Sequence, residues 1–508
     1  MSRRSASQLS NEAATCPADE NGYVADLKRL VCDLESSYGA AILRRAMRMH
    51  MERKALRYEG LVRDAYAAVR REEAVVDQKI PELTEKAGAS SHDAWQIFES
   101  VSRRYLEACD DVTSMKVILE DAKARLAFTK EATDDTFLAR RDALVDALHA
   151  LTNYSAQPHI VNSVAQVVAQ FLRVPCSIDS KFLNFLLAGA SGTGKTSIVK
   201  AIANVFAKSG MFVYDRVRVA GRAELVGEYE GQTVARTRSF LVASLECVVF
   251  VDEAYSLTKW DDGRPESYGS EATTAMVEFM SAYKGLYSMF FAGYEKEMKR
   301  YFLPTNPGLV RRIPYRFKLS NLSTGDLVVV FQRAVSEFLG FKMSVGRDAH
   351  LPSMRCFTDD AWHWLRALVT QAHAGAWERA DGGEFDRATR TTYPPETRFV
   401  PAYPKLHTLF ENQAGSMVNL AEEAVTFLTN IISFEQCHTS DEGIDVRTAD
   451  FPVPAQDRSA MRKIVLMRVR NTAMSNVEDF VTELNAIPRV PACRTRQKTT
   501  TSKQEEVG

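Results

Sequence analysis

Eight consecutive residues, Gly189-Ala190-Ser191-Gly192-Thr193-Gly194-Lys195-Thr196, constrain this chain more than any other stretch. The apolar run 182–188 before them is short enough to be a buried strand, and Ile198, Val199, Ile202, Ala203 and Phe206 after them recur at helical spacing. Strand, glycine-rich loop, then helix is the context in which G-x-x-x-x-G-K-[ST] holds phosphate. The glycines let successive N–H groups point inward at phosphate oxygens, and the following helix adds the positive end of its dipole. In that arrangement Lys195 reaches the outer phosphates of a nucleoside triphosphate and Thr196 holds Mg²⁺.

A second element fits the first. Cys247-Val248-Val249-Phe250-Val251-Asp252-Glu253 is an apolar strand ending in two carboxylates, and the helical stretch 233–245 leads into it. Strands of a parallel sheet converge at their carboxyl ends, where ligands bind. Asp252 is thereby expected to meet the Mg²⁺ held by Thr196, and Glu253 to polarise a water against the γ-phosphate.

Around these motifs the chain reads as segments. Residues 1–20 are polar and expected to be disordered. Residues 21–138 read as helix throughout and form an N-terminal hairpin or bundle. In it Leu43, Met47, Met51 and Ala55 recur every four residues, and Phe98, Tyr105, Val112, Leu119 and Leu126 every seven, over about 42 Å of helix. The second of these helices is expected to start at Ser90 with Asp93 in a capping box. From 139 to 320, helices alternate with strands at 182–188, 212–219, 247–251, 287–292 and 315–319, which predicts a parallel sheet covered on both faces. Helices at 325–338, 359–372 and 416–433 make a helical domain over 321–452. It is interrupted by 374–408, a Gly-, Pro-, Arg- and Tyr-rich stretch without period that reads as an inserted loop, and closed by a strand and turn at 444–451. A helical segment at 453–490 and a polar, disordered tail at 491–508 complete the chain.

Charge and cysteine content exclude several classes. With 64 Lys and Arg against 65 Asp and Glu, no global field draws the chain to nucleic acid or lipid. The basic stretch 44–57 (Arg44, Arg45, Arg48, Arg53, Lys54, Arg57) is therefore either a phosphate-binding surface or the solvated face of an amphipathic helix, with Glu52 and Glu59 close by. Eight scattered cysteines without C-x-x-C spacing argue for a reducing compartment and against structural zinc. No apolar run approaches the roughly 20 residues of a membrane span, and no signal core is present, so an intracellular soluble chain is expected.

The motifs taken together resemble AAA+ ATPases, and within them the CbbX/CfxQ (SpoVK-like) group. The resemblance spans roughly 145–330 and rests on 189–196, Leu225-Val226-Gly227-Glu228-Tyr229-Glu230-Gly231-Gln232-Thr233, Phe250-Val251-Asp252-Glu253-Ala254-Tyr255, Tyr268-Gly269-Ser270-Glu271-Ala272, Ala292-Gly293-Tyr294, and Asn306-Pro307-Gly308-Leu309 before Arg311 and Arg312. It implies an α/β P-loop NTPase (AAA+) core with a parallel sheet and a helical lid domain, here with an all-α N-terminal extension. It also implies ATP and Mg²⁺ as cofactors, a hexameric ring, and mechanical work on a protein client. Tyr229 and Gly231 match the pore-loop position, with Glu230 replacing an aliphatic residue. Arg312, with Arg311 in reserve, matches the arginine finger, and Val310 stands where the group usually has another Arg. Tyr294 falls near the sensor-1 position. The second-sensor arginines are missing from Ala414-Gly415-Ser416-Met417-Val418-Asn419-Leu420. ATP-driven remodelling of a protein partner is the expected function. A nucleotide-gated scaffold with weak hydrolysis is the alternative, and a nucleic-acid-associated ATPase the third.

Overall fold

The computed structural model describes residues 24–86, 91–154, 156–227, 229, 232–261, 264–338, 356–379, 384–386, 391–393, 397–429, 456–472 and 477–486. The expectations for 1–20, Ser90, Glu230, Gly231, 444–451 and 491–508 lie outside these residues. Two compact units are present, the first reaching Asn321 and the second beginning at Leu322.

The first unit is built on five parallel strands: β1 (Asn184–Ala188), β2 (Val217–Ala220), β3 (Val248–Val251), β4 (Ser288–Gly293) and β5 (Tyr315–Lys318). Their spatial order is β2-β3-β4-β1-β5, so β1 lies inside the sheet next to the edge strand β5, and both its neighbours are filled in later by crossovers. β1, β3 and β4 are buried along their whole length, as expected of strands covered on both faces. Alternation divides their side chains. Phe185, Leu187, Phe250 and Phe290 join the helices Pro158–Arg173 and Lys195–Ser209 on one face. Leu186, Val249, Val251 and Phe291 join Leu241, Met276 and Met280 on the other. Register sets Phe185 opposite both Phe290 and Tyr315. The three rings stack across the sheet with centroids 4.4 and 4.6 Å apart.

β2 is shorter than the stretch 212–219 and shifted from it. Met211, Phe212 and Val213 are buried, yet they lie outside the ladder. Their backbone finds partners elsewhere: the Val213 N–H donates to the Glu246 carboxylate and the Tyr214 N–H to the Glu246 carbonyl. An apolar run thus reads as strand although its hydrogen bonds go to a single side chain and a turn.

The N-terminal region is all helix: Ala25–Glu35, Gly39–Lys86, Ser91–Glu131 and Asp134–Leu151. The two long helices pack against each other as a hairpin, and Leu43, Met47 and Met51 are fully buried. Of the seven-residue series, Val112 and Leu119 are buried, while Tyr105 and Leu126 are half-buried. These helices share one hydrophobic core with the sheet. The helix Asp134–Leu151, capped where the Thr133 hydroxyl accepts the Thr136 N–H, runs straight through position 138/139. No linker separates the two regions there.

The basic stretch divides: Arg45 and Arg48 are exposed, as on a solvated face, with Arg48 beside Glu52, while its other cations are engaged within the chain. Arg44 binds Asp134 and the Ala132 carbonyl, Arg53 binds Asp179, and Arg57 binds the Lys284 carbonyl at 2.7 Å. Lys54 is buried and its ammonium contacts the Glu246 carboxylate, which also accepts the Tyr58 hydroxyl at 2.8 Å. The stripe fastens the hairpin to the α/β core. Beside Lys54, His50 is fully buried, with Nε2 3.1 Å from the Met211 carbonyl oxygen and its ring edge-on to Phe171. Burial, reinforced by the Lys54 charge, holds its imidazole well below the usual range. The folded state therefore keeps His50 neutral while the unfolded chain takes up a proton below pH about 6.5. Stability should fall as pH drops through that value, by up to about 1.4 kcal/mol per pH unit from this group. Urea unfolding at pH 7.5 and 5.5 measures it, and His50→Gln should show a smaller decline than the parent.

The second unit, taken by itself, packs the helices Thr324–Phe338, Asp359–Ala372, Pro404–Phe410, Ala414–Thr429, Arg458–Asn471 and Val477–Ala486 around Phe331, Trp362, Leu365, Leu420 and Ile464. The Thr358 hydroxyl caps the second of these helices, with Asp359 and Asp360 in its first turn. The stretch 374–408 is not structureless, as an inserted loop would be. Gly375–Arg379 pairs antiparallel with Thr397–Pro401, setting Phe399 opposite Trp377, and Glu384–Asp386, which is assigned to the first unit, pairs with Thr391–Tyr393. Strands of three to five residues are too short to show a period among so many turn formers. Among the described residues, no helix is long and apolar enough to cross a membrane.

Candidate functional site

The phosphate-type loop leaves β1 at the edge where β3 and β4 also end. Ala188 is in register with Gly293, and Val251 with Phe291, so one step further along β3 Asp252 and Glu253 come level with the end of β4. The Gly189 N–H donates to the Gly293 carbonyl at 3.0 Å, tying the start of the loop to the strand between the two motifs. Gly189-to-Thr196 and Asp252-Glu253, 56 residues or more apart in sequence, therefore occupy one edge of one sheet.

The loop has the form that phosphate binding needs. A Cβ on Gly189 would lie 3.0 Å from both the Thr193 hydroxyl and Leu319 Cβ. Gly192 and Gly194 have φ of 71° and 83°, the left-handed region that glycine enters without strain. Thr193 is buried, its hydroxyl donating to the Ala190 carbonyl at 2.9 Å, which closes the turn. Gly194 then caps the helix Lys195–Ser209. Ala190, Ser191 and Thr196 are exposed at its mouth. The Lys195 ammonium donates to the Gly189 and Ala190 carbonyls at 2.9 and 2.8 Å and lies 5.7 Å from the centre of the Tyr294 ring. Partial burial draws its pKa down, and the Asp252 and Glu253 carboxylates oppose that shift. A half-buried ammonium with only carbonyl acceptors, at a helix N-terminus and facing two carboxylates, suits a triphosphate with its divalent cation. The residues present fit both groups, with Lys195 for phosphate and Thr196 and Asp252 for Mg²⁺.

Glu253 stands in the left-handed region at φ 45°. Its N–H donates to the Asp252 carboxylate at 3.0 Å, and its carbonyl accepts the Ser256 N–H at 2.7 Å. Strain at a non-glycine residue is characteristic of positions whose side chain must be aimed. Tyr255 supplies an anchor: burial raises the pKa of its phenol, and the Glu253 carboxylate, which it hydrogen-bonds, raises it further. The Tyr255 ring lies 6.3 Å from that of Tyr294 and packs so close to Gly293 that a Cβ there would come within 2.9 Å of it. Sequence reading assigned Tyr255 no role, and the glycine two positions after the strand's aromatic pair was the available signal.

Other sequence-stated residues lie elsewhere. Tyr229 is 67% exposed in a short connection after the helical turn Arg222–Leu225. Arg311 and Arg312 end the helix Pro307–Arg312, which the Asn306 side chain caps. The Arg312 guanidinium donates to the Ser281 hydroxyl at 2.7 Å and the Gly308 carbonyl at 3.2 Å, whereas Arg311 is exposed. Ser416, Met417 and Leu420, in the second unit, are buried.

The geometry has a counterpart among known proteins. Residues 185–301 match the ATPase family associated with various cellular activities (AAA). Stage V sporulation protein K of Bacillus subtilis (strain 168) is 33% identical over 160 residues, 32% of this chain and 48% of that protein. The ESX-1 secretion system protein EccA1 of Mycobacterium tuberculosis (strain ATCC 25618 / H37Rv) is 32% identical over 147 residues, 29% of this chain and 26% of that one. The chain thus spans about half the length of the first relative and about a quarter of the second. The solved structure of C. elegans PCH-2 shares 12% identity and a TM-score of 0.33 over 64% of this chain and 73% of that one. The span 185–301, which carries the loop, the paired carboxylates and Tyr294, is thus similar to AAA ATPase domains.

Proposed function

We propose that the chain binds and hydrolyses Mg²⁺·ATP at the 189–196 and 252–253 edge and uses the cycle, as a ring of identical subunits, to remodel a protein partner. The observation that carries this reading is the convergence of Lys195, Asp252, Glu253 and Tyr294 where β1, β3 and β4 end. The bound cation neutralises charge on the phosphates. Lys195 exchanges its carbonyl acceptors for phosphate oxygens. Asp252 would hold the cation together with Thr196. Glu253, aimed by its backbone and by Tyr255, accepts a proton from the attacking water. Tyr294 packs over Lys195 and limits where its ammonium can swing.

A ring needs a cation contributed by the neighbouring subunit, because a guanidinium against the outer phosphate stabilises charge in the transition state. Arg312, the residue preferred from sequence, bonds Ser281 and Gly308 within its own chain, and we take the exposed Arg311 as the first candidate to vary. Arg311→Ala should lower ATP turnover by about 10³-fold in assembled rings, with nucleotide affinity retained. Steady-state phosphate release across sizing-column fractions tests this, and an equal loss in a verified monomer would contradict a role in trans.

The relatives, a sporulation protein and a secretion-system protein, support work on protein assemblies without naming a client here. The CbbX/CfxQ group remains our narrower reading, on the motif series alone. The helix Ala414–Thr429 carries no arginine and buries Met417 and Leu420, which favours a slow, nucleotide-gated scaffold as the second reading. ATP-dependent assembly with no stimulation by any polypeptide would select it.

A further inference from the structure

At the far end of the helix Lys195–Ser209, about 20 Å from the phosphate-type loop, the N-terminal helices and the core line an open pocket of about 480 Å³. Its wall carries Arg125, Arg140 and Lys208, with Val213, Tyr214 and Asp215 opposite. Arg125 is half-buried and donates to the Val213 carbonyl. Arg140 is half-buried too, but its contacts are Met47 Sδ at 3.6 Å and the face of Phe128, 5.1 Å from the ring centre. Neither contact carries a countercharge. A guanidinium cannot shed its proton to escape this. Burial lowers the pKa of both arginines; the Glu246, Asp121 and Asp215 carboxylates oppose the shift in Arg125, and in Arg140 the charge of Arg125 adds to it.

Nearby acids do not balance the set. Asp121 accepts the Tyr214 hydroxyl, Glu246 is held by Lys54 and Tyr58, and Asp215 is exposed at the rim. The carbonyls closing the helix Lys195–Ser209 are also occupied, Phe206 by the Met211 N–H and Ala207 by the Gly210 N–H. Against Asp121 and Asp215 the three cations leave one positive charge in excess, in a concave site lined by two half-buried guanidinium groups, which suits a small oxyanion.

We propose that the cavity lined by Arg125, Arg140 and Lys208 is a second ligand site, distinct from the nucleotide loop, that binds a small phosphate-bearing anion. Its concavity favours a small molecule over an acidic segment of a partner. Its walls join the C-terminal end of the loop's own helix to the hairpin.

The test uses the full chain saturated with Mg²⁺·ADP, titrated by calorimetry with pyrophosphate and with inorganic phosphate in sodium chloride of matched ionic strength. One saturable pyrophosphate site per chain is expected, weakened by about tenfold or more in Arg140→Gln, as for a lost charge-assisted hydrogen bond. Arg140→Lys, which keeps the charge and loses the fork, should fall between the two. If Arg140→Gln does not fold, Lys208→Gln at the cavity edge should still weaken binding measurably. No saturable binding beyond ADP, unchanged affinity in the variants, or binding of an acidic peptide but neither phosphate probe would overturn the proposal. Arg140-dependent pyrophosphate binding in a chain that fails to hydrolyse ATP would uphold it and count only against the proposed ATPase.

Discussion

Glu253→Gln is expected to stop turnover while leaving ATP bound. The substitution keeps the shape of the side chain and an oxygen to accept the Tyr255 hydroxyl, so the left-handed backbone at φ 45° and the aim of the side chain are preserved. What disappears is the basic oxygen. Loss of a positioned general base costs about 10²–10⁴-fold in rate. ATP affinity should change by no more than about twofold, since Lys195 and the loop are untouched. Single-turnover phosphate release and fluorescent-nucleotide titration on the same preparation separate the two effects. Hydrolysis at the parent rate would remove Glu253 from the site, and with it the reading of 252–253 as the hydrolytic pair. The trapped ATP state is also the form in which a protein client should copurify.

Lys54→Met is expected to have the largest effect on stability. Lys54 and Glu246 have side chains 1% and 0% exposed, and removing one member of such a pair leaves the other charged, buried and under-compensated. Breaking a buried pair typically costs about 3–5 kcal/mol, a sizeable share of the roughly 5–15 kcal/mol that holds an ordinary domain folded. After the change Glu246 would retain only the Tyr58 hydroxyl and the Val213 N–H. The double variant Lys54→Met/Glu246→Gln should recover part of the loss, because both charges are then gone. Urea midpoints followed by circular dichroism measure the series. A loss below about 1 kcal/mol in Lys54→Met would show that water reaches the pair.

Local signals made the α/β core legible. The strands at 248–251 and 288–293 are continuous apolar runs because both faces are covered, and the loop at 189–196 needs glycine where φ turns positive, so both leave marks in a single sequence. The fastening of the hairpin leaves none. Lys54 and Glu246 are 192 residues apart, and a lysine among arginines on a helix looks the same whether it meets water or a buried carboxylate. Glu246 also has φ of 62°, a conformation that glutamate does not advertise. The displaced strand near 217 has the same cause, since the partners of Val213 and Tyr214 belong to that glutamate. Arg311 and Arg312 were separable only once the Ser281 hydroxyl was seen beside Arg312. Adjacent residues of one type give sequence reasoning nothing to choose by.

The hairpin's attachment has a mechanical corollary. The helix Gly39–Lys86 is 48 residues long, but its contribution to the shared cores ends by Ala65, and from there to Lys86 it runs on for about 30 Å. A rod anchored by a buried ion pair at its root moves as its root moves. Each degree of tilt in the α/β core sweeps the outer end of that helix through about 0.5 Å of arc at this length. The hairpin is in effect a pointer that magnifies small rotations of the sheet, and spin labels near residue 79 would read them out.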